Sequence, residues 1–185
     1  MDDRKTATPE SELGILARRR IEAAVIAPIY DEMCKAIGEL QARAILRKAI
    51  QRAARAAGAE MAKQAPGGGS LEGFKAILPR WTKDDALTIE ILADEPGRFD
   101  FNVTRCRYAE TYRAMGLADI GDILSCERDG AFCEGFDPDI KLTRMHTIMR
   151  GAGSCDFRYR AGPGEELRSS HCDGARSRSK SSNEP

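Results

Sequence analysis

A cysteine does chemistry as a thiolate, either attacking an electrophilic carbon or holding a soft metal such as zinc. The chain has six: Cys34, Cys106, Cys126, Cys133, Cys155 and Cys172. Cys106, Cys126 and Cys155 stand 20 and then 29 positions apart with no Cys-x-x-Cys pair, so spacing alone specifies no zinc motif. Position singles them out: the surrounding pattern places Cys106 at the end of a strand, Cys126 at the end of a helix and Cys155 at the start of another strand. The plainer alternative is that each is a small buried hydrophobe, a common fate of free cysteine. Cys34 on a helix, Cys133 in a glycine-flanked loop, and Cys172 beside His171 in a polar tail are weaker candidates.

The elements that must position these thiols follow from periodicity. Over 10–37, Ile21, Val25, Ile29, Met33 and Ile37 recur every four residues and predict an amphipathic helix with that stripe turned inward. Pro28 predicts a kink or break near Ala27, and Gly38 a stop. Over 39–65, Ala42, Leu46, Ile50, Ala53, Ala57 and Met61 predict a second helix antiparallel to the first. Its Arg43, Arg47, Lys48, Arg52 and Arg55 read as a solvated face, because no aromatic residues interleave for base stacking. Alternation of Leu87, Ile89 and Ile91, the turn Asp94-Glu95-Pro96-Gly97, and alternation of Phe99, Phe101 and Val103 predict a β-hairpin with one buried face. Short helices are expected over 108–115 and 117–124, with Gly130 and Gly135 breaking the stretch after them. A second hairpin is expected from 140–149 and 155–160. The fold class is therefore α+β, an N-terminal helical hairpin packed with an antiparallel sheet of about four strands.

Hydrophobic residues at 42% and charged residues at 31% give a globular balance, and 29 Lys plus Arg against 29 Asp plus Glu leave no formal net charge. That total argues for neither nucleic acid nor an anionic membrane as partner. No apolar run reaches the roughly 18 residues of a membrane span, and the first ten residues lack the pattern of a signal peptide. The expectation is a cytoplasmic protein with reduced thiols. It would have a flexible start at 1–9, one domain over 10–161, and a disordered tail at 162–185 with almost nothing to bury. The expected partner is a small molecule, with homo-oligomer formation left open.

Several stretches together resemble the L-2-amino-thiazoline-4-carboxylic acid hydrolases. They are Phe101-Asn102-Val103-Thr104-Arg105-Cys106-Arg107-Tyr108, Gly116-Leu117 with Cys126 and Asp129, Gly135-Phe136, Ile140-Lys141-Leu142-Thr143-Arg144, Thr147-Ile148-Met149-Arg150-Gly151 and Cys155-Asp156-Phe157-Arg158-Tyr159. The helical half agrees through Arg20-Ile21-Glu22-Ala23 and Ile29-Tyr30-Asp31. The resemblance implies a hydrolase of cyclic amidines, of the class acting on non-peptide carbon–nitrogen bonds, that opens a 2-aminothiazoline ring to a carbamoyl-cysteine in microbial cysteine formation. Which ring bond opens stays undecided.

Carbon 2 of such a ring resembles a guanidinium carbon, a poor electrophile until its ring nitrogen is protonated, so hydrolysis needs an acid and a nucleophile. Asp129 or Asp156 could hold the amidine nitrogens. One of Cys106, Cys126 and Cys155 could attack as a thiolate, or all three could hold a divalent metal such as zinc that activates water. Arg144 is a candidate for the substrate carboxylate. His146 is expected on the same strand face, and Tyr108 and Trp81 are expected at the core or rim. Against pairing Cys155 with Asp156 stands strand alternation, which sends neighbours to opposite faces. The competing reading is a small-molecule-binding or sensor domain with a structural zinc and no turnover.

Overall fold

The computed structural model describes residues 13–162. The expected flexible start at 1–9 and the tail from 163 onward, with His171 and Cys172, lie outside them. Two long helices open the fold, α1 (Ile15–Ile37) and α2 (Glu39–Gln64). They are joined at Gly38, whose φ of 83° suits a residue without a Cβ. The expected break at Pro28 does not occur. Pro28 and Ala24 are both exposed, so the carbonyl that loses its helical partner lies on the solvent side.

The inward face of α1 is not the one its apolar stripe predicts. Ile21, Val25, Ile29 and Ile37 are 58%, 59%, 53% and 42% exposed, whereas Ala23 is buried and Ile26 and Tyr30 are partly so. Small Ala23 permits close packing, and on the same face Glu22 meets Arg128 from a distant helix. An ion network thus occupies the interior side, and the isoleucine row faces out.

On α2 the buried row is Ala42, Leu46, Ile50, Ala54 and Gly58, with Ala54 in place of the expected Ala53. Its main partner is α6 (Glu127–Phe136), inside which lie the two glycines expected to break the chain, Gly130 and Gly135. A Cβ on Gly135 would lie 2.0 Å from the Arg55 carbonyl oxygen, and one on Gly58 would lie 2.2 Å from that of Phe132. These glycines therefore let the two backbones cross in contact. The basic residues expected on a solvated face tie the crossing together: Arg47 to Glu127 at 2.7 Å and Arg55 to Glu134 at 2.6 Å.

Between them come α3 (Leu71–Ile77), capped by the Ser70 hydroxyl accepting from the Gly73 N–H, and α4 (Pro79–Thr82). The sheet follows, antiparallel throughout in the order β1-β2-β4-β3: β1 (Leu87–Glu95), β2 (Arg98–Cys106), β3 (Lys141–Thr143) and β4 (Cys155–Arg160). Pro96 and Gly97 close the first hairpin, with Gly97 at φ 73° as the third residue of a type II turn requires. Phe99, Phe101 and Val103 face the core at 1–2% exposure, in the expected period of two. On edge strand β1 Leu87 and Ile89 pack inward, and Ile91 is 55% exposed just before a register shift. Helix α5 (Arg107–Ala114) leaves β2 at Cys106. The helix expected over 117–124 is instead a turn followed by one wide π-helical turn, Asp122–Cys126, that runs into α6.

The strand expected over 140–149 stops at Thr143. Beyond it the Asp156 carboxylate accepts the N–H groups of Met145 and His146, and the Cys155 sulfur accepts that of Ile148 at 3.2 Å. Side chains of β4 take the donors a longer β3 would have given to the ladder, and the chain folds over the end of the sheet. Among the described residues no helix is long and apolar enough to cross a membrane.

Candidate functional site

Two clusters of buried side chains meet at Leu87, Cys106 and Ile148, which pack against both. One cluster is the inner sheet face with α3 and α6. The other is built by α1, α2, α5 and the 120–124 segment. Where they meet, a cavity of about 230 Å³ remains. Phe101, Val103, Cys106, Cys155, Phe157 and Tyr159 form its sheet wall. Arg19 and Glu22 of α1, Ala57 and Met61 of α2, and Cys126, Arg128, Asp129 and Phe132 at the start of α6 form the helical wall. Trp81 closes one side, edge-on to Phe132 with ring centroids 5.1 Å apart.

The fold thus gathers Cys106, Cys126, Cys155, Asp129, Arg144 and Tyr108 around one space and leaves two candidates out. Asp156 follows Cys155 on β4 and points to the other face, where the backbone of Met145 and His146 occupies it. Burial would raise its pKa, but these N–H donors outweigh burial and hold it below the usual carboxylate range. His146 is 70% exposed, with Nδ1 3.6 Å from Asp156. The expectation that it shares a face with Arg144 fails because β3 ends before both. Cys133, expected in a loop, is buried on α6.

Arg144 is already engaged. Its Nη1 donates to Asp129 Oδ2, its Nη2 donates to the Cys126 carbonyl at 2.6 Å, and the guanidinium carbon stands 4.8 Å from the Phe157 ring centroid. Burial would lower its pKa, but the attraction of Asp129 prevails and raises it. Burial moves Asp129 above the ordinary carboxylate range, against the pull of Arg144, Arg19 and Arg128.

The thiols are protonated at neutral pH. Burial pushes Cys106 up to about 11 and Cys126 up to about 12, and also raises Cys155 despite the Ile148 N–H. Among the described residues no group of three His, Cys, Asp or Glu side chains converges to hold a metal ion. Tyr108 donates its hydroxyl to the Trp81 carbonyl at 3.3 Å and is raised by burial, so it holds the cavity wall.

Sequence reasoning missed Arg19, Glu22 and Arg128. Arg19 Nη1 donates to both Glu22 oxygens at 2.7 Å, and Arg128 Nη2 donates to Glu22 Oε2 at 2.9 Å. A signal existed in Arg128 standing next to Asp129. Arginines and a glutamate on amphipathic helices otherwise read as surface.

A concave, largely apolar cavity with a few convergent polar groups is the form small-molecule sites take. The chain belongs to the L-2-amino-thiazoline-4-carboxylic acid hydrolase family, whose model matches residues 18–159. No curated protein matches the sequence significantly. Among solved structures the chain is similar to the phenol-responsive sensory domain of the transcription activator PoxR with phenol, with a TM-score of 0.48 and 14% identity over 80% of either chain.

Proposed function

We propose that the protein is a hydrolase that opens a small cyclic amidine, such as L-2-amino-thiazoline-4-carboxylic acid, within this cavity. The observation that carries the reading is Asp129: a carboxyl raised by burial, oriented by Arg144, facing an apolar space beside three thiols. A carboxyl moved toward neutral pH exchanges protons more effectively than an ordinary one. It pairs with the amidinium to keep carbon 2 electrophilic and takes a proton from the attacking water. One water is consumed. Its oxygen becomes the carbonyl of the carbamoyl group, the ring bond from carbon 2 to nitrogen or sulfur breaks, and the departing heteroatom receives a proton.

With their pKa values raised, Cys106, Cys126 and Cys155 serve this reaction as neutral, polarisable wall groups rather than as the nucleophile. Following carbamoyl-cysteine release from the purified protein tests the reading. Wild type should turn over, and Asp129→Asn should lose about 10²- to 10⁴-fold in rate. The same protonated thiols and committed Arg144 favour a second reading, a binding domain without turnover. Saturable binding with no carbamoyl product from wild type would decide for it.

A further inference from the structure

The resting structure leaves Arg144 poorly placed for the role its residue type suggests, because its fork is already divided between Asp129 and the Cys126 carbonyl. At the other end of the helical wall the charges do not balance. Arg19 and Arg128 share the single carboxylate of Glu22, and Arg128 Nε is engaged by the Leu124 carbonyl at 2.6 Å. The side chains of Arg19 and Arg128 are only 18% and 12% exposed, that of Glu22 is 33% exposed, and all three line the cavity. Among the described residues, three largely buried guanidiniums, Arg19, Arg128 and Arg144, thus face two carboxylates, Glu22 and Asp129. A cation excess in a confined apolar space is costly until an anion joins it. Burial, followed by repulsion from Arg19, lowers the pKa of Arg128, as expected where cations outnumber anions.

We infer that Arg19 and Arg128, bridged by Glu22, form the subsite for the ligand's carboxylate, and that the cavity is selective for small monocarboxylates with a planar ring. The inference rests on the reading of this cavity as the substrate site. It divides the work between the two ends: the carboxylate lies against α1 and α6 at Arg19 and Arg128, and the ring projects toward Asp129 and the thiols. Arg144 is then a positioning residue for Asp129, and Glu22 holds the two guanidiniums together while the cavity is empty.

Trp81 is the chain's one tryptophan and lines the cavity, so its fluorescence reports occupancy. Wild type is titrated with L-2-amino-thiazoline-4-carboxylic acid and with its carboxamide, which keeps the ring and removes the charge. The acid should bind about 10- to 100-fold more tightly. Arg19→Gln and Arg128→Gln should each weaken the acid much more than the carboxamide, bringing the two ligands close together, and preserve the helical circular dichroism. Arg128→Lys should restore part of the preference. Equal binding of acid and carboxamide by wild type, or binding of neither, would overturn the inference. So would a preference that survives both glutamine variants but disappears in Arg144→Gln. If wild type prefers the acid through Arg19 and Arg128 yet releases no carbamoyl product, the subsite stands and only the hydrolase reading fails.

Discussion

The two walls of the cavity are built by different rules. The sheet wall is specified by alternation: Phe101 and Val103 turn inward on β2, Cys155, Phe157 and Tyr159 do so on β4, and Phe101 stacks on Phe157 with centroids 4.9 Å apart. The helical wall carries the charge, through Arg19 and Glu22 on α1, whose more hydrophobic row lies elsewhere, and through Arg128 and Asp129 on α6. One wall supplies shape and the other supplies chemistry. They meet where Arg144, leaving the sheet, lies over Phe157 and pairs with Asp129.

Removing a member of either wall should be costly for a different reason. Phe101→Ala and Phe157→Ala each empty an aromatic site and should destabilise by about 3–5 kcal/mol in denaturant melts. Asp129→Ala leaves Arg144 without its carboxylate and should cost a similar ~3–5 kcal/mol. An additional Arg144→Met should return part of that loss, whereas no second substitution at Arg144 should rescue Phe101→Ala. Costs below about 1 kcal/mol at Phe101 and Phe157 would mean that the sheet faces are inverted.

The helical wall also depends on the α2–α6 crossing. Gly58→Ala and Gly135→Ala each place a methyl group against a backbone carbonyl that cannot move independently. A loss of about 1–3 kcal/mol is expected for each, while Gly130→Ala, with nothing within 4 Å, should be neutral or stabilising. A melt in which all three behave alike would contradict the backbone contact.

Alternation made the sheet wall legible, because a period of two fixes which face is buried once the aromatic residues are counted. It also carried Cys155 to the same space, whereas Cys106, out of phase with Val103, reaches it across the register shift at Thr88 and Ile89, and Cys126 joins from the π-helical turn before α6. What stayed hidden depends on contacts between distant segments. The isoleucine row of α1 is the stronger hydrophobic signal, yet Glu22 turns inward because Arg128, over a hundred residues away, needs a carboxylate. Gly135 looks like a breaker until α2 is seen crossing it. β3 ends early because Asp156 and Cys155 take the N–H groups of the chain beyond it, which no pattern within 140–149 reveals.

Asp156 and Asp100 give the sheet a pH dependence of definite sign. Burial would raise Asp100, but hydrogen bonds from Arg160 and Arg98 hold it below the usual carboxylate range, and backbone N–H groups do the same for Asp156. A carboxyl depressed in the folded state contributes stability that is present above its unfolded pKa and lost as pH falls through the folded one. Unfolding monitored by circular dichroism should therefore show declining stability from about pH 4 downward, and Asp156→Asn should flatten that decline. A slope unchanged in Asp156→Asn would remove Asp156 from the account. The smallest effect belongs to His146, exposed and outside the cavity: His146→Gln should change stability by no more than about 0.5 kcal/mol and leave ligand binding unchanged.

The central claim, that the space between the two walls holds the ligand, is tested most directly by the chain's own cysteines. Cys106, Cys126 and Cys155 line the cavity, whereas Cys34 sits on α1 away from it. Alkylation by iodoacetamide can be followed at each residue by mass spectrometry, with and without L-2-amino-thiazoline-4-carboxylic acid. Ligand should slow modification of the three cavity thiols and leave Cys34 unchanged. Unaltered rates at Cys106, Cys126 and Cys155 under saturating ligand, or protection confined to Cys34, would contradict it.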